Sequence, residues 1–208
     1  MSERLGILGA GKLGTAVARL AVDAGREVLI SDARDDPMVE LVVSTIAAGS
    51  RLVPADEMFQ GSDIVLLAIP YSHLGQVDLG ALEHAVLIDA TNPWLEVDGA
   101  DPPESPLRGR RGLRVVRTLN HLAYEDLIAY AEPKGAPFRT AVAVASDDLA
   151  ARRAVAALVD DLGFDPVEVD GRSAWMLESN GPFFGRRLAR EEMSALISAS
   201  RRADRLTW

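Results

Sequence analysis

Cysteine is absent from this 208-residue chain. That removes disulfides, a thiol nucleophile and any thiolate metal site from consideration. Long apolar runs are missing too: no stretch of about twenty apolar residues occurs, and Met1 to Leu8 pass straight into a strand pattern with no apolar leader. Neither a membrane span nor a secretory signal is expected, and the absence of thiols is compatible with the expected cytoplasmic location. Positive charge is in short supply, with 22 Lys and Arg against 31 Asp and Glu and a net charge of −9. A field of that sign repels nucleic acid and anionic membranes, so phosphate must be met by a local pocket. Of the histidines, His73 and His84 read as surface or cleft-edge residues at no ligand spacing, and no metal is expected. There is no internal repeat and no low-complexity tract.

Apolar residues make up 48% and charged residues 25% of the chain, the balance of a folded globular protein. The length suits one substantial core, or a nucleotide domain with a smaller appended lobe. Strand patterns are expected at Arg4 to Leu8, Glu27 to Ser31, Arg51 to Val53, Ile64 to Ala68, Val86 to Asp89 and Leu113 to Arg117, with helix patterns over Lys12 to Asp23 and Pro37 to Ala48. Strands alternating with helices indicate a parallel, doubly wound sheet. Between Asn92 and Gly112 lies a loop-like stretch carrying Pro93, Gly99, Pro102, Pro103, Pro106 and Gly109, expected as a surface excursion or a lid. The distal part reads as a helix near Leu122 to Ala131, a strand at Thr140 to Ala145, a helix over Asp147 to Leu162 and a strand at Pro166 to Val169. A Gly/Pro-rich turn at Gly181 to Gly185 precedes a final helix expected to carry Arg186, Arg187 and Arg190, either on a solvated face or toward an anionic ligand.

The most informative motif is Gly9-Ala10-Gly11-Lys12-Leu13-Gly14, a G-x-G-x-x-G placed between a strand and a helix. The first glycine permits the sharp turn, the second lets backbone approach a pyrophosphate, and the third lets helix and strand pack closely. The helix N-terminus then faces the phosphates with free amides and a positive dipole. Asp32 ends the next strand, 18 positions beyond Gly14, where a carboxylate can bind the adenosine ribose. Together these features imply a Rossmann-type α/β fold with a small C-terminal α/β extension: a dinucleotide-binding domain over 1–120 and an extension over 121–208 that completes the substrate cleft. Cofactor-binding candidates here are Gly9, Ala10, Gly11, Lys12, Leu13 and Gly14, then Ser31, Asp32 and Arg34. Lys12 touches a phosphate or is simply solvated. Asp32 favours the free 2′-hydroxyl of NAD, whereas Arg34 can neutralise the 2′-phosphate of NADP.

Over most of its length the chain resembles the bacterial and archaeal NADP oxidoreductases that use the deazaflavin coenzyme F420. The residues that carry the resemblance are the glycine loop, Ala68-Ile69-Pro70-Tyr71, Asp89-Ala90-Thr91-Asn92-Pro93, Val115-Val116-Arg117-Thr118-Leu119-Asn120, Ser146-Asp147-Asp148 and Gly163-Phe164-Asp165-Pro166-Val167. The resemblance implies a small reductase passing hydride between nicotinamide C4 and the deazaflavin ring. Ser31-Asp32-Ala33-Arg34 departs from the serine and arginine, or other small residues, usual in the family after the second strand, which weakens the implied NADP preference.

Ligands of open parallel sheets sit outside the carboxyl ends of the strands, at the switch in strand order. By that rule Ala68, Ile69, Pro70 and Tyr71 pass beneath the cofactor, unless Pro70 merely ends a strand. Thr91, Asn92 and Pro93 form a nicotinamide-side wall or only a turn, and Asn120 and His121 face the same cleft. His121 is the candidate general acid–base, or alternatively pocket lining. Phe183 and Phe184 stack on a flat ring, or anchor the last helix in a core or a homodimer interface. Three functions remain open at this level: hydride transfer between NAD(P) and F420 or another small substrate, a non-catalytic dinucleotide sensor, and reduction of an imine, ketone or metal ion.

Overall fold

In a computed structural model the described residues are 3–34, 36–94, 107 and 109–206. Most of the loop-like stretch after Asn92, including Gly99, Pro102, Pro103 and Pro106, lies outside them. The chain forms β1 (Leu5–Leu8), α1 (Lys12–Asp23), β2 (Val28–Ser31), α2 (Pro37–Ile46), β3 (Arg51–Leu52), α3 (Ala55–Gln60), β4 (Ile64–Leu67) and β5 (Val86–Asp89). After these come β6 (Arg114–Arg117), α4 (Tyr124–Tyr130), β7 (Ala141–Ala145), α5 (Leu149–Asp161), β8 (Asp165–Val169) and α6 (Arg190–Leu206). Short 3-10 helices occupy Tyr71–Gln76, Leu79–Leu82 and Gly171–Leu177.

Eight strands make one sheet in the order β3-β2-β1-β4-β5-β6-β7-β8. The strands β1 to β6 are parallel, and β1 pairs with both β2 and β4, so the strand order reverses there. Helices cover both faces, which is why β2, β4 and β5 are buried along their whole length and read as unbroken apolar runs. The C-terminal extension joins the same sheet: β7 meets β6 antiparallel through the single pair Arg117↔Ala145, and β8 pairs with β7 in parallel. The sheet therefore continues across residue 120, the division expected from the sequence.

Helix α1 buries Gly14, Thr15, Ala16, Val17, Ala18 and Ala21, a face of small side chains that lets the helix axis come close to the sheet. It packs into a core with Leu5, Ile7, Ile30, Ile64, Leu66 and Ile88, and that core also takes Val142, Val144, Val155 and Phe164 from the extension. A second cluster on the opposite face joins Met58, Val65, Leu67, Leu82 and Leu87. A third, around Val167, Met176, Phe183, Leu188 and Met193, belongs to the extension alone. The last helix begins at Arg190, so Arg186 and Arg187 precede it instead of riding on its face. Arg187 lies over the Tyr130 ring at 3.8 Å and donates to Thr140 Oγ1. Among the described residues no helix is long and apolar enough to cross a membrane.

Candidate functional site

The glycine loop follows β1 where the strand order reverses. Gly9 adopts φ +109°, and a Cβ there would stand 2.4 Å from the Ala68 carbonyl oxygen at the end of β4. A Cβ on Gly14 would meet the Gly9 carbonyl oxygen at 2.0 Å, so neither position accepts a side chain without moving backbone. Gly11 is the opposite case. An added Cβ there meets nothing within 4 Å, and the residue is exposed at the N-cap of α1. No side chain caps this helix start, and its first turn holds no acidic residue. Free backbone amides, a positive helix end and open space above Gly11 fit a pyrophosphate.

Ala10 is buried and Leu13 packs against the core, so both serve the loop through backbone. Lys12 is exposed, and its ammonium sits over the Tyr124 ring, 5.1 Å from the centroid, at the start of α4. Interaction with the Tyr124 side chain raises the Lys12 pKa above its ordinary value.

Asp32, just past β2, turns back to the loop. Its Oδ2 accepts from Ala10 N at 2.7 Å and from Arg34 Nη2 at 2.9 Å. Its Oδ1 accepts from Arg34 N at 2.9 Å and Arg34 Nε at 2.8 Å. Hydrogen bonding by Arg34, reinforced by the backbone amides of Arg34 and Ala10, outweighs burial and lowers the Asp32 pKa to about 2. A carboxylate has about four acceptor sites, and all are taken. The Arg34 side chain remains 59% exposed, so the charge presented outward is cationic.

Two hollows meet at this pair. A cleft of about 640 Å³ is lined by Gly9, Gly11, Asp32, Arg34, Ala68, Ile69 and Pro70 of the expected residues. The adjoining hollow of about 550 Å³ includes Ser31, Asp32 and Arg34. The larger volume is within the range of small-molecule sites. His73, Gln76 and Asp78, from the turn after Pro70, also line it. Tyr71 turns partly into the second core cluster. His84 Nε2 lies 3.0 Å from the Phe59 carbonyl oxygen.

The remaining expected residues form a separate, buried cluster at the ends of β5 and β6. Its centre is Arg117, 5% exposed, whose Nε and Nη2 meet the two Glu178 oxygens at 3.0 and 2.7 Å. Arg117 Nη1 donates to the carbonyls of Asp89 and Thr91 at 3.1 and 2.6 Å, and Nη2 also donates to Asn92 Oδ1 at 3.2 Å. Thr91 Oγ1 donates to Asp89 Oδ1. Asn92 Nδ2 donates to the Asn120 carbonyl at 2.7 Å, and Asn120 Nδ2 donates to Asn92 Oδ1 and to the Leu177 carbonyl. Pro93 is buried beside them. The turn that aims Asn120 is strained: Leu119, 1% exposed, has φ +63°, a region that non-glycine residues rarely occupy.

His121 is 1% exposed and packs near Phe183, with Nε2 accepting weakly from Ala143 N at 3.4 Å and Nδ1 unpartnered among the described residues. Burial, helped by the nearby Arg117 charge, lowers its pKa to about 3. It is a neutral interior side chain at ordinary pH. Phe183 is likewise core, while Phe184 meets Trp94 edge-on at 6.0 Å. Sequence reasoning did not single out Arg117 or Glu178 as site residues. They are 61 positions apart, and no local pattern links them.

A family model described as NADP oxidoreductase, coenzyme F420-dependent, matches residues 4–93. No curated protein matches the chain. Among solved structures, a hypothetical protein of Sinorhizobium meliloti is similar over 91% of this chain and 96% of its own, with TM-score 0.74 and 23% identity. A protein of Arthrobacter sp. FB24 that carries the name of an F420-dependent NADP-reductase aligns over 91% of this chain and all of its own, with TM-score 0.68 and 23% identity. An imine reductase variant of Myxococcus stipitatus in complex with NAD+ aligns over 86% of this chain but 58% of its own, with TM-score 0.61 and 21% identity. At such identities these likenesses establish a common fold. The matched stretch, residues 4–93, holds the glycine loop, Asp32, Arg34 and the strand ends to Pro93, and in this part the chain is similar to the coenzyme F420-dependent NADP oxidoreductases.

Proposed function

We propose that the protein transfers hydride between NADP(H) and a flat acceptor bound beside it, with coenzyme F420 as that acceptor. The observation that carries the cofactor choice is the saturation of Asp32. With its oxygens occupied by Ala10 N and three Arg34 donors, it has no acceptor site left for a ribose 2′-hydroxyl. What faces solvent instead is the Arg34 guanidinium, suited to a 2′-phosphate. Asp32 thus ties the glycine loop to Arg34 and keeps that cation in place.

The start of α1 holds the pyrophosphate, Arg34 the 2′-phosphate, and the ends of β4 and β5 flank the ring end of the cofactor. When bound, the dihydronicotinamide supplies a hydride from C4, and the deazaflavin takes it together with one proton. Such a transfer depends on placing two rings in register more than on a fixed acid. The interior, neutral His121 accords with that, since its depressed pKa and burial make it no proton donor at neutral pH.

Titration of the protein with NADPH and NADH by nicotinamide fluorescence, followed by addition of oxidised F420, tests the whole reading. NADPH is expected to bind about 10- to 100-fold more tightly than NADH, the worth of a charge-assisted phosphate contact, and F420 absorbance is expected to fall. A preference for NADH would reverse the roles of Asp32 and Arg34. Tight NADPH binding with no F420 reduction, but turnover of an imine, would move the protein to a different acceptor. Binding of neither dinucleotide would end the proposal.

A further inference from the structure

The buried cluster at the ends of β5 and β6 fixes the direction of one amide. All five N–H donors of Arg117 are placed: Nε on Glu178, both Nη1 hydrogens on the Asp89 and Thr91 carbonyls, and the Nη2 pair on Glu178 and Asn92 Oδ1. Asn92 Oδ1 therefore faces a guanidinium and the Asn120 amide nitrogen. Reversing the Asn92 amide would set its nitrogen against two donors and its oxygen against the Asn120 carbonyl, leaving no complementary partner on either side. The orientation is decided by the buried cation. One Nδ2 hydrogen of Asn92 goes to that carbonyl. The other has no partner among the described residues, on a half-buried side chain three residues past the end of β5.

We infer that Arg117, clamped by Glu178, is a positioning residue that turns the Asn92 amide so that its remaining N–H is offered to a carbonyl acceptor on the nicotinamide end of the dinucleotide. The inference rests on the dinucleotide reading above. It links the cofactor site to the C-terminal extension, because Glu178 lies beyond the 3-10 helix Gly171–Leu177 while Asn92 follows β5. Lysine at position 117 keeps the charge but has three donors on one atom and cannot span Glu178, two carbonyls and Asn92 together.

Dissociation constants for NADPH, for its thionicotinamide analogue and for 2′-phospho-ADP-ribose, which lacks the ring, test this on wild type, Arg117→Lys, Glu178→Gln and Asn92→Ala. The wild type should bind the thio analogue more weakly than NADPH, because sulfur is the poorer acceptor. Arg117→Lys and Asn92→Ala should lose about tenfold for NADPH, one hydrogen bond's worth, and Glu178→Gln less in the same sense. All three should hold 2′-phospho-ADP-ribose within about twofold of wild type, which a merely structural role would not predict. Equal losses for the ring-bearing and ringless ligands, or unchanged NADPH affinity, would overturn the inference and leave the dinucleotide reading standing. Should Arg117→Lys fail to fold, Asn92→Ala and the wild-type analogue comparison decide. Binding of none of the three ligands by wild type would remove the dinucleotide reading and this inference with it.

Discussion

His121 shows how far one side chain's surroundings govern its chemistry. Burial holds its folded pKa near 3, against an ordinary value of 6.5, so below pH 6.5 the unfolded chain binds a proton that the folded one refuses. The sign follows: stability is full above pH 6.5 and declines by about 1.4 kcal/mol per pH unit as pH falls toward the folded value. His121→Gln should flatten that decline in denaturant titrations between pH 6.5 and 4, and should leave the pH profile of kcat unchanged. A profile that lost a limb would restore His121 as an acid–base group. Gly11 separates binding from folding. Gly11→Ala has space for its methyl group and ordinary φ of −79°, so its melting temperature should match wild type while dinucleotide affinity falls at least tenfold, roughly the effect of pushing a phosphate off free amides. Gly14→Ala, whose Cβ would press on the Gly9 carbonyl, should lose both.

At the level of elements, α1 and α5 start in opposite ways. Asp148 caps α5, accepting from Ala151 N at 2.9 Å, and also pairs with Arg114 of β6 at 2.8 Å. Hydrogen bonding from Arg114 lowers the Asp148 pKa. Asp148→Ala should cost about 1–2 kcal/mol, mostly the cap, since the half-exposed ion pair adds little. Urea unfolding measures it, and a change below about 0.5 kcal/mol would mean that the cap is replaced by solvent. The start of α1 has no such cap, and that omission keeps its amides free. The periodic segments were legible in the sequence: the helix expected over Lys12 to Asp23 and the strand over Val86 to Asp89 occur with those bounds. The short α3 and the 3-10 helices were not, because four to seven residues hold too little periodicity to reveal a single turn or two.

On the scale of the whole molecule, one hydrophobic core runs across residue 120. Val142, Val144, Val155, Leu158 and Phe164 fill the same cluster as Leu5, Ile7 and Ile30. A fragment of residues 1–120 would expose that face, leave the β6 edge open and strip Arg117 of Glu178. Losing one partner of a buried pair costs about 3–5 kcal/mol on its own. The fragment should therefore show no cooperative thermal transition by circular dichroism. A fragment that melts cooperatively would mean that the first six strands suffice as a folding unit.

What the sequence determined by itself was local or periodic. Gly9-Ala10-Gly11-Lys12-Leu13-Gly14 between strand and helix, Asp32 at the next strand end, and unbroken apolar strands indicated the dinucleotide fold, because backbone sterics and burial act over a few residues. Only the tertiary structure decided what the charged side chains do. It closed Asp32 onto Ala10 and Arg34, carried Lys12 to Tyr124, sealed His121 inside, and brought Glu178 to Arg117 under Asn92. Electrostatic and hydrogen-bond roles depend on partners brought from distant parts of the chain and on the water that packing excludes, and neither is written in the spacing of residues along it.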